Sequence, residues 1–223
     1  MRFLYRFELS DKTISFKVNI DEHTGLAKKK PETLLPQWVL LKTHQCRHCP
    51  YSHDEIRYCP LAEAIHPTID PFLKIKSYEE ATVKVSTRER MFGLRTTVQR
   101  GLGSLLGLLI ATSGCPHTSF LKPMARFHLP FASEEETLYR AVSTFMLGKF
   151  IQSRDTGCTI PDLDELKAAY GELEIVNSHV ASRLRKMTAD DASINALIIL
   201  DFFAKSVPLI IEDDLGELPT LFS

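Results

Sequence analysis

Cysteine and histidine are the residues of this chain whose types and spacing could do chemistry. The stretch CRHCPYSHDEIRYCPLAEAIH, Cys46 to His66, with His44 just upstream, holds three of the five cysteines and four of the eight histidines. Such density suits soft donors around a metal ion better than a packed core. Cys46 and Cys49 stand at C-x-x-C spacing, so one tight turn can present both thiolates to a single ion, and Cys59 follows after nine residues. A fourth ligand is needed. Cys115 is the best placed, because the most apolar helical stretch ends there and must fold back; His117 or a local histidine is the substitute. The expected set is therefore Cys46, Cys49, Cys59 and Cys115, with Cys158 left as an ordinary thiol.

Zinc is the first expectation, since a closed tetrahedron of sulfur ligands stabilises a small sheet with a long insertion. A 4Fe-4S cluster on the same cysteines is the alternative. Cys49, Cys59 and Cys115 are each followed by proline, a feature often seen beside cluster ligands. A thioredoxin-like dithiol fits poorly, because Cys46 and Cys49 fall between strand-like segments with Pro50 directly behind. His53-Asp54-Glu55 has the H-x-E form of a zinc deaminase, but the C-x-x-C lies on the wrong side of it. The chain has no H-E-x-x-H, no G-x-S-x-G and no Walker A loop. The segment Cys115 to Phe131 gathers His117, Lys122, Arg126 and His128 among prolines. His117, Arg126 and His128 are thus the candidate catalytic groups, against the plainer reading of a structural loop. Whether the chain is an enzyme stays open at this point.

The motifs CRHCP, YCPLA, TSGCPH and KPMARFHLPF, spread over residues 38 to about 150, resemble an uncharacterised bacterial family of unknown function. The resemblance implies a bacterial cytosolic protein and carries over no catalytic residue.

These groups must be positioned by regular elements. Phe3, Tyr5, Phe7 and Leu9 share one face of a period-two strand, and Ile14, Phe16, Val18 and Ile20 share one face of the next, with Ser10 to Lys12 as the turn. Trp38 to Thr43 reads as a third strand and Ala81 to Ser86 as a fourth, making the cysteine cluster an insertion between strands. Leu61 to Ile65 can form one or two helical turns before Pro67 and Pro71. Ser86 to Glu89 has capping-box spacing and predicts a helix running to about Ser113, in which Gly103, Gly107 and Ala111 form a stripe for close approach of another helix. Ser133 to Glu136 is a second capping box, opening a helix to about Gln152. Pro161 starts a long helix to about Met187, and Thr188 to Asp191 caps a last one with Ile194, Leu197, Ile198 and Phe202 at helical spacing.

The expected fold is α+β: a small N-terminal antiparallel sheet of about four strands with a Cys-rich insertion, packed on a bundle of four main helices. Its parts are 1–86, 87–206 and an acidic tail 207–223. With 223 residues the chain can bury a core without covalent staples, and an odd cysteine count argues against a disulfide framework. Lys+Arg 27 against Asp+Glu 28 leaves nucleic acid as an unexpected partner, while a protein partner stays open. The N-terminus lacks a signal-peptide pattern, and Leu102 to Ala111 is about half the ~20 residues a bilayer span needs. No membrane association and a cytoplasmic location are the expectations.

Overall fold

The computed structural model describes residues 1–28, 34–153, 162–187, 191–213, 215–216 and 218–222. Cys158, Pro161 and the start of the Thr188 cap lie outside them. The architecture is α+β. Strands β1 (Arg2–Glu8), β2 (Thr13–Asn19), β3 (Glu80–Ser86) and β4 (Met91–Thr97) form an antiparallel sheet in the order β2-β1-β3-β4. Register places Phe16, Tyr5, Val85 and Phe92 in one cross-strand row and Ile14, Phe7, Val83 and Leu94 in the next. This is the face the period-two pattern marks for burial, and Tyr5, Phe7, Val83 and Val85 are completely buried on it.

Helix α2 (Val98–Ala111) covers that face. It follows β4 directly and has no side-chain cap; its first amides donate instead to the Glu79 and Ser77 carbonyls at 2.8 and 3.0 Å. Residues 91–97 are therefore strand, where the sequence pattern predicts helix. The Ser86 to Glu89 signal is turn chemistry: Thr87 accepts from the amides of Glu89 and Arg90 through Oγ1 and closes the β3–β4 hairpin. At Gly101 the helix nearly touches the sheet, since an added Cβ would stand 2.7 Å from Val83 Cγ2 and 2.9 Å from Phe7 Cε1. The Gly103–Gly107 stripe does receive another helix, α6 (Asp191–Glu212), with the Ala196 carbonyl and the Leu200 side chain against it.

Two more long helices complete the bundle. Helix α4 (Glu134–Gln152) opens on the full capping box, Ser133 Oγ accepting from Glu136 N and Glu136 from Ser133 N. Helix α5 (Asp164–Met187) buries Leu166, Tyr170, Leu173, Asn177, Val180 and Leu184 at three- and four-residue spacing. Short helices α1 (Pro60–Ile65) and α3 (Lys122–Arg126) sit in the connections. On α6 the buried face is Ala192, Ala196, Leu197, Ala204, Val207 and Ile211; of the expected stripe Leu197 is buried and Ile194 packs against the core, while Ile198 and Phe202 are exposed. The helix also runs through Pro208 into the segment expected to be tail. Among the described residues α6 is the one helix long and apolar enough to cross a membrane, with a mean hydropathy of 1.9 over an 18-residue stretch within Ala192–Glu212. It carries an Asp201–Lys205 pair at 2.7 Å in mid-helix and packs on α2 and α5.

Trp38 to Thr43 is not a strand. It folds as two 3-10 turns, Gln37–Val39 and Leu41–Thr43, whose extended moment is a single bridge between Leu40 and Tyr58. The run is apolar because it is buried in place: Trp38, Val39 and Leu41 are at most 7 % exposed. Its carbonyls are taken by a side chain. Arg183, 2 % exposed on α5, donates to the carbonyls of Trp38, Leu40 and His44 at 2.5, 2.8 and 2.6 Å.

Candidate metal centre

Each cysteine of the expected set sits at a local turn. Cys49 N donates to the Cys46 carbonyl at 3.0 Å, closing the CRHC turn. Cys59 is the N-cap residue of α1, and Cys115 is the N-cap of the 3-10 segment Pro116–Leu121. In both, proline takes the first helical position, where its missing N–H costs nothing. Two of the three Cys-Pro steps are thus helix starts, which accounts for them without an iron–sulfur cluster. A sulfur at such a start also meets the positive end of the segment: the Thr118 amide donates to the Cys115 carbonyl at 3.2 Å, and the backbone of His117 and Thr118 opposes the rise of the Cys115 thiol.

The four sulfurs share one environment. Burial, then the neighbouring Cys59, Cys115 and Cys49, push the Cys46 thiol up to about 12, and burial pushes Cys115 to about 11 with Cys59 and Cys49 adding to it. Arg183 feels Cys59, Cys46 and Cys49 and is the buried cation beside them. Without a further positive charge the Cys46 and Cys115 thiols stay protonated. The sulfurs nevertheless form no group at metal-binding spacing.

The group that does combines His117 and a local histidine, both expected as substitute ligands, with a carboxylate that no spacing marked. His48, inside the CRHC turn, His117, two residues after Cys115, and Glu172 on α5 have donor atoms within 4.8 Å of one another, and among the described residues this is the trio that does so. Glu172 Oε2 lies 3.1 Å from His48 Nε2 and 3.6 Å from His117 Nδ1, while His117 Nε2 is 3.0 Å from the His48 carbonyl. The two imidazoles meet at 4.0 Å between centroids. His48 Nδ1 is buried without a partner while Nε2 meets Glu172, and burial with the neighbouring His117 lowers the His48 pKa. The structure thus joins the end of α2 to the cysteine insertion, as the sequence argument required. Glu172 had no sequence signal, being one acid among several on an amphipathic helix.

The insertion itself is held thinly. Leu61, Ala62, Ile65, Ile69 and Phe72 anchor its second half in the core, but no residue from Lys42 to Pro60 is buried. Polar contacts and the partly buried Tyr58 and Cys59 at its end secure that first half.

The candidate catalytic residues do not gather in one place. His117 stands with His48 and Glu172. His128 lies 2.5 Å from the Tyr5 hydroxyl through Nε2 and edge-on to Phe3, and burial beside Arg140 holds its imidazole down at about 3. Arg126 is exposed and faces Glu22 at 3.7 Å. Arg126 and His128 line a common surface groove of about 870 Å³ that does not include His117. His53 is exposed beside Asp54.

The whole chain, residues 1–223, matches the family described as Domain of unknown function (DUF6901), and it belongs to that family. Neither the curated proteins nor the solved structures contain a match to it.

Proposed function

We propose that this member of the DUF6901 family is a metal-binding cytosolic protein, in which zinc at the junction of the CRHC turn and the end of α2 fastens the insertion to the helices and serves a regulatory or interaction role. Cys46, Cys49, Cys59 and Cys115 would supply the thiolates. The observation that carries this reading is the meeting of two cysteine-bearing turns, CRHC and CPH, through His48, His117 and Glu172, with His48 Nδ1 buried and unpartnered. Two physical arguments support it. A zinc ion with four thiolates is doubly negative, and Arg183 is a buried guanidinium beside those sulfurs with no carboxylate partner among the described residues. A segment without buried residues also needs a polar fastening, which a bound ion provides through folding-coupled binding.

The test is elemental analysis of protein purified without oxygen, with Cys59→Ala and Glu172→Gln alongside. About one zinc per chain, lost in Cys59→Ala with a lower melting temperature, supports the thiolate site. Zinc retained in Cys59→Ala but lost in Glu172→Gln would move the ion to the histidine–carboxylate trio. Brown protein with iron and sulfide would replace zinc by the iron–sulfur alternative. Metal-free protein with unaltered stability in both variants would end the reading.

A further inference from the structure

A second site lies on the other side of α5, away from the cysteines and independent of any metal. Helices α2, α4, α5 and α6 enclose a cavity of about 590 Å³, mostly apolar, the size of a small-molecule pocket. One polar side chain in its wall lacks the partner that burial demands, and two more present donors that no described residue takes up. Asn177 is 2 % exposed and its Oδ1 has no hydrogen bond. Tyr170 is 3 % exposed, and among the described residues its hydroxyl bonds to nothing; its ring is packed edge-on by Phe120. Arg140 donates to the Met124 and Phe127 carbonyls at 2.6 and 3.1 Å, both through Nη2, which leaves the Nη1 and Nε edge open. No carboxylate of the described residues lies at ion-pair distance from it, since Glu136, one turn back on α4, is engaged by the Ser133 amide.

We propose that this cavity binds an elongated apolar carboxylic acid, its carboxylate on the free edge of Arg140 and the Tyr170 hydroxyl, and a hydrogen-bonding group at its far end on Asn177. An open guanidinium edge matches a carboxylate in a two-point contact, and a buried phenol adds a third donor. Arg140 and Tyr170 are close enough to feel each other's charge. Tyr170 and Asn177 are seven positions apart on α5, two helical turns, so the two polar ends stand ~10 Å apart along the helix. Leu173 lies between them on the same wall, and Leu108 and Leu200 face it from α2 and α6. The ligand's middle is therefore apolar and its two ends are polar.

Calorimetric titration with octanoate, 8-hydroxyoctanoate and 1-octanol tests this on the whole protein. The hydroxy acid spans the ~10 Å between the two polar ends. Octanoate should bind saturably, 8-hydroxyoctanoate more tightly, and 1-octanol at least about tenfold more weakly than octanoate, the size of one charge-assisted contact. Tyr170→Phe removes only an unpaired hydroxyl, keeps the fold, and should weaken octanoate by about tenfold. Asn177→Leu should abolish the advantage of the hydroxy acid while octanoate still binds. No saturable heat with either acid, octanol as tight as octanoate, or octanoate binding unchanged in Tyr170→Phe would each overturn the proposal. Equal affinity of the two acids for the unsubstituted protein would overturn the assignment of Asn177.

Discussion

Lowering the pH from 7 to 5 should cost this protein about 2 kcal/mol through His128 alone. The imidazole packs against Phe3 and its Nε2 lies 2.5 Å from the Tyr5 hydroxyl, which in turn is 3.0 Å from Ser104 Oγ. Burial first, and the Arg140 charge second, lower its pKa from the ordinary 6.5 to about 3. Between those values the unfolded chain binds a proton that the folded chain refuses. Because the folded pKa is the lower one, this contribution is fully present above pH 6.5 and is lost as pH falls toward 3. The whole gap corresponds to about 5 kcal/mol, and the portion between pH 7 and 5 to about 2 kcal/mol. Urea unfolding at pH 7, 6 and 5 measures it, with His128→Gln as the reference that cannot titrate. The variant should be less stable at pH 7, by about 1–3 kcal/mol for the disturbed hydrogen bond, but its stability should fall less steeply with acid. Parallel pH dependences for the two proteins would refute the argument. A neutral imidazole at pH 7 also bears on its chemistry: His128 holds Tyr5 in place and is tuned far from the pH at which a general base works best.

Two further substitutions test the packing. Gly101→Ala gains about 1 kcal/mol of helix propensity but drives a methyl into Val83 and Phe7, an overpacking cost of about 1–3 kcal/mol, so denaturant midpoints should fall. Gly148→Ala on α4, where an added Cβ meets nothing within 4 Å, should raise them instead. Arg183→Met removes the donor to three carbonyls and should cost about 3 kcal/mol or more, read by thermal unfolding; a melting temperature within a degree of the parent would refute its role as a fastener.

The parts of this fold legible in the sequence are those decided within a few residues. Alternating Phe3, Tyr5 and Phe7 mark a buried face at any position in a sheet, and Ser133 with Glu136 satisfies two amides of its own helix. The misreadings share a cause in partners that come from elsewhere. Ser86 to Glu89 looks like a cap because helix starts and hairpin turns use the same hydroxyl-to-amide bond, and here the helix amides are satisfied by Ser77 and Glu79 carbonyls instead. Trp38 to Thr43 has strand composition, yet its carbonyls are claimed by a guanidinium more than a hundred residues away. At the site, the cysteine turns were visible from spacing. Glu172, Arg183, Asn177 and Tyr170 were not, since each occupies an ordinary position on an amphipathic helix and acquires its role only from what packs against that helix.

Helix α5 is where these roles meet. One side presents Glu172 and Arg183 to the insertion, and another presents Tyr170 and Asn177 to the cavity. The insertion's apolar anchors, from Leu61 to Phe72, belong to the core and share its stability. The stretch from Lys42 to Pro60 has no fully buried residue, so its order depends on Arg183, the His48–Glu172 contact and the partial packing of Tyr58 and Cys59. Segments secured by few polar contacts open at far lower free energy than the core around them. Under the proposed zinc reading, loss of the ion would free the CRHC turn while the sheet and bundle remain folded. That separation is what a regulatory metal site requires: the ion would set the order of one surface segment and leave the scaffold that displays it unchanged.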